Sequence, residues 1–403
     1  MKYNTLEKPR VKSVVPFNFT LNQKNKLLSR LRFEQLKPWF LALFCVALAL
    51  NAQAQSTIPI LKFIDGHQLT IKGRAATVPN TGYNRIDSNL LNTLPPRVAA
   101  LSKNTAGVEV NFATNSKTIA FKWILEKYGV IPNLTPIAKN GLDLYGWNID
   151  HWQFVASVAA KGDTTEATAV MNLDGKLRAY KVYLPLYSSL TALEVGVDAS
   201  ATIEPVMKKA NLFPPMSPKS KIVIYGSSIT QGAAASRAGM AYPAQLARQL
   251  PAEIFNLGFS GSGKMELPVA NILGRMDADL YILDCVPNPS PAEIRERAIP
   301  FIRQLRKLRP NTPILIMESI YRETAYWNSK TKTMVTDQNK TIHDAFRSLQ
   351  KAGMKDIYYL PCDELTGHDH EATIDGTHLT DVGFMRLTKV LLAEIRKILP
   401  ALR

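Results

Sequence analysis

The sequence predicts two folded parts, an all-β sandwich followed by an α/β domain with a mostly parallel sheet. Residues 55–205 contain short runs in which apolar and polar residues alternate, separated by Gly, Asn and Asp. Residues 221–403 instead alternate short apolar runs with longer amphipathic stretches. Alternation with a period of two is typical of strands with one buried face, whereas strands alternating with helices are typical of a parallel sheet covered by helices.

An apolar run near the N-terminus predicts an export signal. Trp39–Leu50 is entirely apolar and follows Lys37, but it is shorter than the roughly 20 residues that span a bilayer. The tripeptide Ala-Gln-Ala at 52–54 fits the small-residue pattern of a cleavage site. We therefore expect a signal peptide over residues 1–54, export to the periplasm or the medium, and no stable membrane insertion after cleavage.

Four runs carry the prediction of an antiparallel sandwich over residues 55–205. They are VEVNFAT (108–114), TIAFKWI (118–124), RAYKVYLPL (178–186) and LTALEVGV (190–197). A stretch rich in Pro and Lys then interrupts the pattern, and it predicts a linker over residues 206–220.

The α/β domain is predicted over residues 221–403. Its expected strands are 221–225, 253–257, 279–284, 312–317 and 356–360. Its expected helices are near 241–250, 264–276, 291–309, 335–352 and 380–398. In such sheets a ligand lies beyond the carboxyl ends of the strands, so the polar residues that directly follow the strands are the candidates for a functional site.

The positive net charge of +16 does not predict a nucleic-acid partner. Residues 1–54 hold nine Lys or Arg and two Glu, a net +7, which leaves +9 spread along the rest of the chain. The densest basic cluster recurs at helical spacing with apolar partners, which is typical of a solvated helix face. It consists of Arg295, Arg297, Arg303, Arg306, Lys307 and Arg309.

The cysteine content excludes a disulfide-stabilised scaffold. After the expected cleavage only Cys285 and Cys362 remain, and both follow apolar runs. Two cysteines in a chain of this length do not form a disulfide framework. They are either two buried free thiols, which we favour, or a single bridge.

Polar residues follow four of the expected strands. Ser227 and Ser228 follow the first strand, and the segment NLGFSGSG (256–263) overlaps the end of the second. The segment LDCVPN (283–288) ends the third strand, and DGTHLTDVG (375–383) follows the last. Each segment alone has an ordinary explanation as a turn or a helix cap, but four in register after the expected strands predict one site.

In order and spacing, these segments resemble the sequence blocks of the SGNH (GDSL-type) hydrolases. The resemblance implies a flavodoxin-like three-layer domain that hydrolyses esters with no cofactor and no metal. It also implies that Ser228 is the nucleophile, with Asp375 and His378 completing a triad. By the same resemblance the oxyanion hole consists of Ser228, Gly261 and Asn288.

Two positions depart from the usual family pattern. Ser227 stands where Asp is common, and Val-Pro-Asn-Pro (286–289) replaces Gly-x-Asn-Asp. Both variants resemble a carbohydrate-esterase-like branch whose jelly-roll-like sandwich carries a Gly-x-Asp-Leu-Tyr motif. Here that motif is GLDLY (141–145), so the resemblance covers about residues 60–400.

The residue types suit acyl transfer. A serine hydroxyl is a poor nucleophile at neutral pH and needs an adjacent base, and an imidazole such as His378 titrates near the working pH. Asp375 lies three residues earlier, and this spacing can place carboxylate and imidazole side by side. Backbone N–H groups and an amide can stabilise the charge that develops on the carbonyl oxygen.

Two further sets of residues leave alternatives open. His368, Asp369 and His370, with Asp375 and His378, are residue types that could bind zinc, although a loop of this kind more often carries polar groups near a pocket. In the sandwich, Asp143 and Tyr145 are possible substrate-binding residues or, equally, a structural turn and a core aromatic.

The sequence therefore predicts an exported serine esterase that removes short acyl groups, acetyl above all, from a small-molecule or polysaccharide ester. The alternatives are a lipase or thioesterase with the same triad, or a non-catalytic glycan-binding protein. The sequence predicts no nucleic-acid partner and does not determine the oligomeric state.

Overall fold

The computed structural model describes residues 59–75, 82–206 and 220–402. The predicted signal peptide, and the predicted linker apart from Val206 and Ser220, lie outside the described residues. Residues 59–403 cluster as one unit.

The first part is the predicted sandwich of antiparallel strands. The strands are β1 (Leu61–Asp65), β2 (Thr70–Lys72), β3 (Glu109–Thr114), β4 (Ile119–Leu125), β5 (Leu142–Asn148), β6 (His151–Val158), β7 (Thr164–Val170), β8 (Arg178–Tyr183), β9 (Leu190–Asp198) and β10 (Ile203–Pro205). One sheet has the order β1-β9-β4-β7, and the other has the order β10-β3-β8-β5-β6 with β2 paired to β3. Short helices α1 (Pro96–Ser102) and α2 (Pro136–Asn140) lie in the connections.

The alternating runs build the core between these two sheets. Val110 and Phe112 of β3 are fully buried, as are Phe121 and Trp123 of β4, and all four belong to one apolar cluster. Since alternate residues of a strand point to opposite faces, the period of two places these side chains on the inner face.

The second part is a parallel five-stranded sheet with helices on both faces. The strands are β11 (Ser220–Gly226), β12 (Ala252–Gly258), β13 (Leu280–Asp284), β14 (Ile314–Met317) and β15 (Ile357–Leu360), in the order β12-β11-β13-β14-β15. The helices are α3 (Ser228–Gln231), α4 (Tyr242–Gln249), α5 (Leu267–Leu273), α6 (Pro291–Leu308), α7 (Ser329–Lys351) and α8 (Asp381–Ile398). This strand order is the flavodoxin-like one, so the predicted fold class is confirmed.

Strand β11 shows how the three layers form. Ile222 and Ile224 contribute to the apolar cluster shared with α4 and α8, whereas Val223 and Tyr225 contribute to the cluster shared with α5, α6 and α7. A central strand is therefore apolar on both faces, and its sequence is a continuous apolar run rather than an alternating one.

Two helices differ in length from the expectation. Helix α7 begins at Ser329, six residues before the predicted start, because Asn328 caps it by accepting a hydrogen bond from the Thr331 N–H at 2.9 Å. Its first turn is largely exposed and polar, so it lacks the apolar periodicity that indicates a helix. Helix α5 is shorter than the predicted 264–276 and starts at Leu267, with Pro268 in its first turn.

The basic cluster and the cysteines also have defined places. Most of the basic residues lie on α6, whose buried face includes Ile294, Phe301 and Ile302. Cys285 and Cys362 are free thiols, the first buried and the second partly exposed. None of the described helices is both long and apolar enough to cross a membrane.

Candidate active site

The carboxyl ends of β11 and β12 meet at one edge of the sheet and bring the first two segments together. The Phe259 N–H donates to the carbonyl of Gly226 at 2.9 Å. Gly263 packs so closely on Gly226 that an added Cβ would lie 2.3 Å from the carbonyl oxygen of Gly226. A glycine is therefore required at residue 263, and the loop after β12 lies directly against the serine turn after β11.

The two serines of that turn have different environments. Ser227 caps α3, since its Oγ accepts a hydrogen bond from the Ile229 N–H at 3.2 Å. Ser228 Oγ instead lies 2.9 Å from Nε2 of His378. The structure thus places Ser228, and not Ser227, against the imidazole.

The loop before α8 brings His378 and Asp375 together as their spacing predicts. Nδ1 of His378 lies 2.7 Å from Oδ2 of Asp375, and the His378 backbone N–H donates to Oδ1 of the same carboxylate at 2.8 Å. A carboxylate bound to one ring nitrogen leaves the other nitrogen available as the acceptor for the serine proton. Ser228, His378 and Asp375 therefore form a continuous hydrogen-bonded chain.

A residue of the sandwich completes this chain. Asn133 lies in the connection between β4 and α2, and its Nδ2 donates to Oδ2 of Asp375 at 2.9 Å. The same Nδ2 lies 3.2 Å from Nδ1 of His378. The sequence did not indicate Asn133, because a single Asn after a proline is typical of a turn.

These contacts set the charge state of Asp375. Partial burial acts to raise the pKa of its carboxyl group. The hydrogen bonds from the backbone and side chain of His378 and from Asn133, together with the attraction of the imidazole, outweigh burial and lower the pKa to about 2. Asp375 is therefore ionised throughout the neutral and mildly acidic range, as a group that steadies an imidazolium requires.

The predicted oxyanion donors lie on neighbouring loops. Ser228 is the first residue of α3, and the first N–H groups of a helix have no acceptor within the helix. Gly261 has φ +64°, and no atom lies within 4 Å of the position of an added Cβ. Asn288 follows β13, and its Nδ2 donates to the carbonyl of Phe259 at 3.2 Å, which links its loop to the loop that holds Gly261.

A buried arginine of the sandwich part holds the end of β12, which leads into that loop. Arg85 is fully buried, and its Nη1 donates to the carbonyls of Asn256 at 2.9 Å and Gly258 at 2.7 Å. Its Nη2 and Nε donate to the carbonyls of Leu101 at 2.7 Å and Asn104 at 2.9 Å. The guanidinium therefore ties the sandwich to the strand that precedes Gly261.

The cost of burying this charge appears in its pKa. Burial lowers the pKa of Arg85 to about 9. Backbone carbonyls take the place of a counter-ion by accepting its hydrogen bonds.

A second buried network supports α3 from below. Oδ2 of Asp284, the last residue of β13, accepts hydrogen bonds from Thr230 Oγ1 at 2.7 Å and from the Tyr242 hydroxyl at 2.9 Å. Burial raises the pKa of Asp284 to about 6, although these two hydrogen bonds act to lower it.

The GLDLY motif lies away from the triad. Asp143 is fully buried, and its Oδ2 accepts hydrogen bonds from Arg237 Nη1 at 2.8 Å and from the Gly239 N–H at 2.7 Å. The Tyr145 hydroxyl also contacts Arg237, and Tyr145 is only 4% exposed. Neither side chain is exposed to a substrate in this structure; instead, both orient Arg237.

The histidine-rich loop is divided among separate partners. His368 faces Glu364, His370 lies 2.9 Å from Glu323, and Asp369 pairs with Arg386. In the part of the chain that the structure describes, no group of three or more His, Cys, Asp or Glu side chains is arranged to hold a metal ion.

Comparison with known proteins agrees with this architecture. Residues 219–396 match the model of the GDSL-like lipase/acylhydrolase family, and residues 61–203 match the model of the N-terminus of SGNH-hydrolase-type esterases with the GxDLY motif. A Bacteroides ovatus protein assigned as a GDSL-like lipase is 42% identical in sequence, with a TM-score of 0.80 over 85% of this chain and 98% of its own. The chain belongs to the GDSL-like lipase/acylhydrolase family. It is thus an enzyme that hydrolyses esters.

More distant structures share the fold of this GDSL-like hydrolase. A salicylyl-acyltransferase from a tetracycline biosynthetic pathway is 19% identical with a TM-score of 0.68, over 85% of this chain and 99% of its own. A family two carbohydrate esterase from Cellvibrio japonicus is 14% identical with a TM-score of 0.56, over 85% of this chain and 98% of its own. The comparison with curated proteins found no match.

Proposed function

We propose that this GDSL-like hydrolase is an exported serine esterase that removes short acyl groups, acetyl above all, from carbohydrate esters. The observation that carries the proposal is the unbroken hydrogen-bonded chain from Ser228 through His378 to Asp375. Its geometry fits a nucleophile, a general base and an orienting carboxylate.

In the proposed reaction, Ser228 Oγ attacks the carbonyl carbon of the ester while its proton passes to Nε2 of His378. The oxyanion of the tetrahedral intermediate accepts hydrogen bonds from the N–H groups of Ser228 and Gly261 and from the amide of Asn288. The carbon–oxygen bond to the alcohol then breaks, and the alcohol leaves with the proton from His378. Water attacks the acyl-serine with the same base, and the acid is released.

Asp375 holds the imidazole in one orientation and stabilises the positive charge that His378 carries between these proton transfers. Its low pKa supports this role, because a protonated carboxyl group would not favour the imidazolium.

A carbohydrate ester is proposed as the substrate for three reasons. The chain carries the GLDLY motif of its esterase branch, and its fold is shared with a carbohydrate esterase. The sequence also shows no long apolar segment between the blocks that would cover a lipid chain.

The first experiment compares hydrolysis of p-nitrophenyl acetate by the wild type, Ser228→Ala and Ser227→Ala. We expect Ser228→Ala to lose roughly 10⁶-fold in kcat, by analogy with other serine triads, and Ser227→Ala to keep measurable activity. Equal activities of wild type and Ser228→Ala on every short acyl ester would reject the proposed role of Ser228.

The second experiment tests the substrate class with the wild-type enzyme. We expect release of acetate from acetylated polysaccharides and a steep fall in rate from acetyl to long-chain p-nitrophenyl esters. A preference for long chains would favour the lipase alternative. Glycan binding by a protein that hydrolyses no ester would favour the non-catalytic alternative.

Export is tested separately by mass spectrometry of the protein from fractionated cells. We expect the mature chain to begin at Gln55 and to occur in the periplasm or the medium. An intact N-terminus in the cytoplasm would contradict it.

A further inference from the structure

An exposed aromatic pair lies beside the predicted triad. Trp327 is 92% exposed and Tyr326 is 56% exposed. Aromatic side chains stabilise a fold mainly by the area they bury, and Trp327 buries almost none. Exposed apolar surface of this kind frequently marks a binding site.

The pair belongs to a segment held by specific contacts. The ring of Tyr326 meets Tyr321 edge-on at a centroid distance of 4.9 Å and His370 at 4.7 Å. His370 is in turn held by Glu323, and its φ of +64° is unusual for a residue with a side chain. These contacts hold the ring of Tyr326 in place.

Two contacts place this segment within the candidate active site. Nη2 of Arg322 donates to the carbonyl of Pro287, the residue before Asn288, at 2.7 Å. Two residues after Arg322, Thr324 packs against the Asp375–Gly376 turn. An added Cβ on Gly376 would lie 2.4 Å from the methyl carbon of Thr324. The segment that carries the aromatic pair thus contacts both the loop of the predicted oxyanion donor and the loop of the predicted triad acid.

A cleft of about 460 Å³ has the aromatic pair and Asp375 of the predicted triad in its lining. Its lining combines ring faces with hydroxyl, imidazole and carboxylate groups: Glu323, Thr324, Tyr326, Trp327, His370, Thr373, Asp375 and Gly376. Asp375 belongs both to this lining and to the predicted triad, so the cleft reaches the carboxylate end of the triad.

The lining chemistry fits a sugar ring better than an acyl chain or a cation. A pyranose has an apolar face of C–H groups that can lie on an aromatic ring, and a rim of hydroxyl groups that need polar partners. An acyl chain would displace water from the hydroxyl groups of Thr324 and Thr373 without offering them a polar partner. Both carboxylates of the cleft already face an imidazole, which reduces their attraction for a cation.

We propose that Trp327 and Tyr326 form a subsite that binds a sugar ring of the substrate beside the triad. This inference rests on the proposed carbohydrate esterase function and assigns the part of the enzyme that recognises the carbohydrate. The subsite acts on affinity for the carbohydrate and not on the chemistry at Ser228.

The test compares Trp327→Ala with wild type on p-nitrophenyl acetate, which has no sugar, and on acetylated xylan and acetylated cello-oligosaccharides. We expect kcat/KM on the acetylated glycans to fall about tenfold, through KM, with the value on p-nitrophenyl acetate within about twofold of wild type. Trp327→Phe should recover part of the loss. Tyr358→Ala removes a 37% exposed aromatic from β15 and serves as the matched control.

Each other outcome overturns the proposal. Equal losses on both kinds of substrate would show that Trp327 supports the triad instead, and unchanged kinetics on the glycans would show that it binds no sugar. A wild type active on p-nitrophenyl acetate but inactive on both acetylated glycans would reject the sugar subsite and leave the triad intact, whereas inactivity on every ester would reject the proposed function itself.

A binding measurement gives a second readout that is independent of turnover. Ser228→Ala should show a change in tryptophan fluorescence when unacetylated cello-oligosaccharide or xylo-oligosaccharide is added. The double variant Ser228→Ala/Trp327→Ala should lose this change. An undiminished change in the double variant would place the sugar elsewhere.

Discussion

Through the hydrogen bond from Asn133 to Asp375, the sandwich contributes a side chain to the candidate active site. Asn133→Ala removes the side-chain donor that lies 2.9 Å from Oδ2 of Asp375 and leaves the contacts of His378 with Ser228 and Asp375 in place. We expect kcat on p-nitrophenyl acetate to fall while KM stays near its wild-type value, because Asn133 acts through Asp375 and not on the substrate.

The size of the effect follows from the exposure of the carboxylate. A hydrogen bond to a charged group contributes about 1.5–3 kcal/mol. The side chain of Asp375 is 36% exposed, so water replaces part of the lost bond, and we discount the loss to about 1–1.4 kcal/mol. That range corresponds to a fall in kcat of about fivefold to tenfold.

The assay is steady-state hydrolysis at pH 7 to 8, with thermal melting as a check on folding. Asn148→Ala is the matched control, since Asn148 is also a sandwich asparagine, with its Nδ2 bonded to Gln153 at 2.8 Å. A kcat for Asn133→Ala within a factor of two of wild type, with an unchanged melting temperature, would refute the positioning role.

Three further predictions concern the surroundings of the triad. Arg85→Met leaves four backbone carbonyls without their donor, so it should lower the free energy of unfolding by at least about 3 kcal/mol in urea titrations; a loss below about 1 kcal/mol would contradict the bridging role. Because the pKa of Asp284 is raised in the folded state, stability is greatest below its unfolded value and is lost as pH rises through about 6. Wild type should therefore lose about 2 kcal/mol relative to Asp284→Asn between pH 4 and pH 7, and a pH-independent difference would show that Asp284 titrates normally. Gly261→Ala should fold, because the added Cβ meets no protein atom, with a loss of about 1–2 kcal/mol in the free energy of unfolding for φ +64°. Its kcat should also fall, and this loss, expressed as a free energy of activation, should exceed the loss in the free energy of unfolding. A loss of stability with an unchanged kcat would argue against a place in the oxyanion hole.

Much of the α/β part could be predicted because its information is local. Apolar runs such as Ile222–Tyr225 identify buried strands, and the turn residues that follow them mark the edge of the sheet where ligands bind. The spacing of Asp375 and His378 brings carboxylate and imidazole together within one loop, so the sequence predicted this contact and the structure has it.

The contributions of the sandwich could not be predicted in this way. Asn133 meets Asp375 across 242 residues, and Arg85 meets Asn256 across 171 residues. Such contacts depend on how the two parts pack, and neither residue has a local pattern that indicates it. The sequence left two alternatives open for Asp143 and Tyr145, because a motif indicates a site but not which of its side chains reach the surface; in the structure both are buried and contact Arg237.

The dependence of the triad on both parts affects how activity arises during folding. In a chain in which only the parallel sheet has formed, Asp375 would lack its partner Asn133 from the sandwich, and the end of β12 would lack its hydrogen bonds from Arg85. We therefore expect full catalytic competence only when the two parts have docked. In a refolding experiment, the recovery of turnover should therefore report the docking of the two parts, and it should be slower than the recovery of secondary structure.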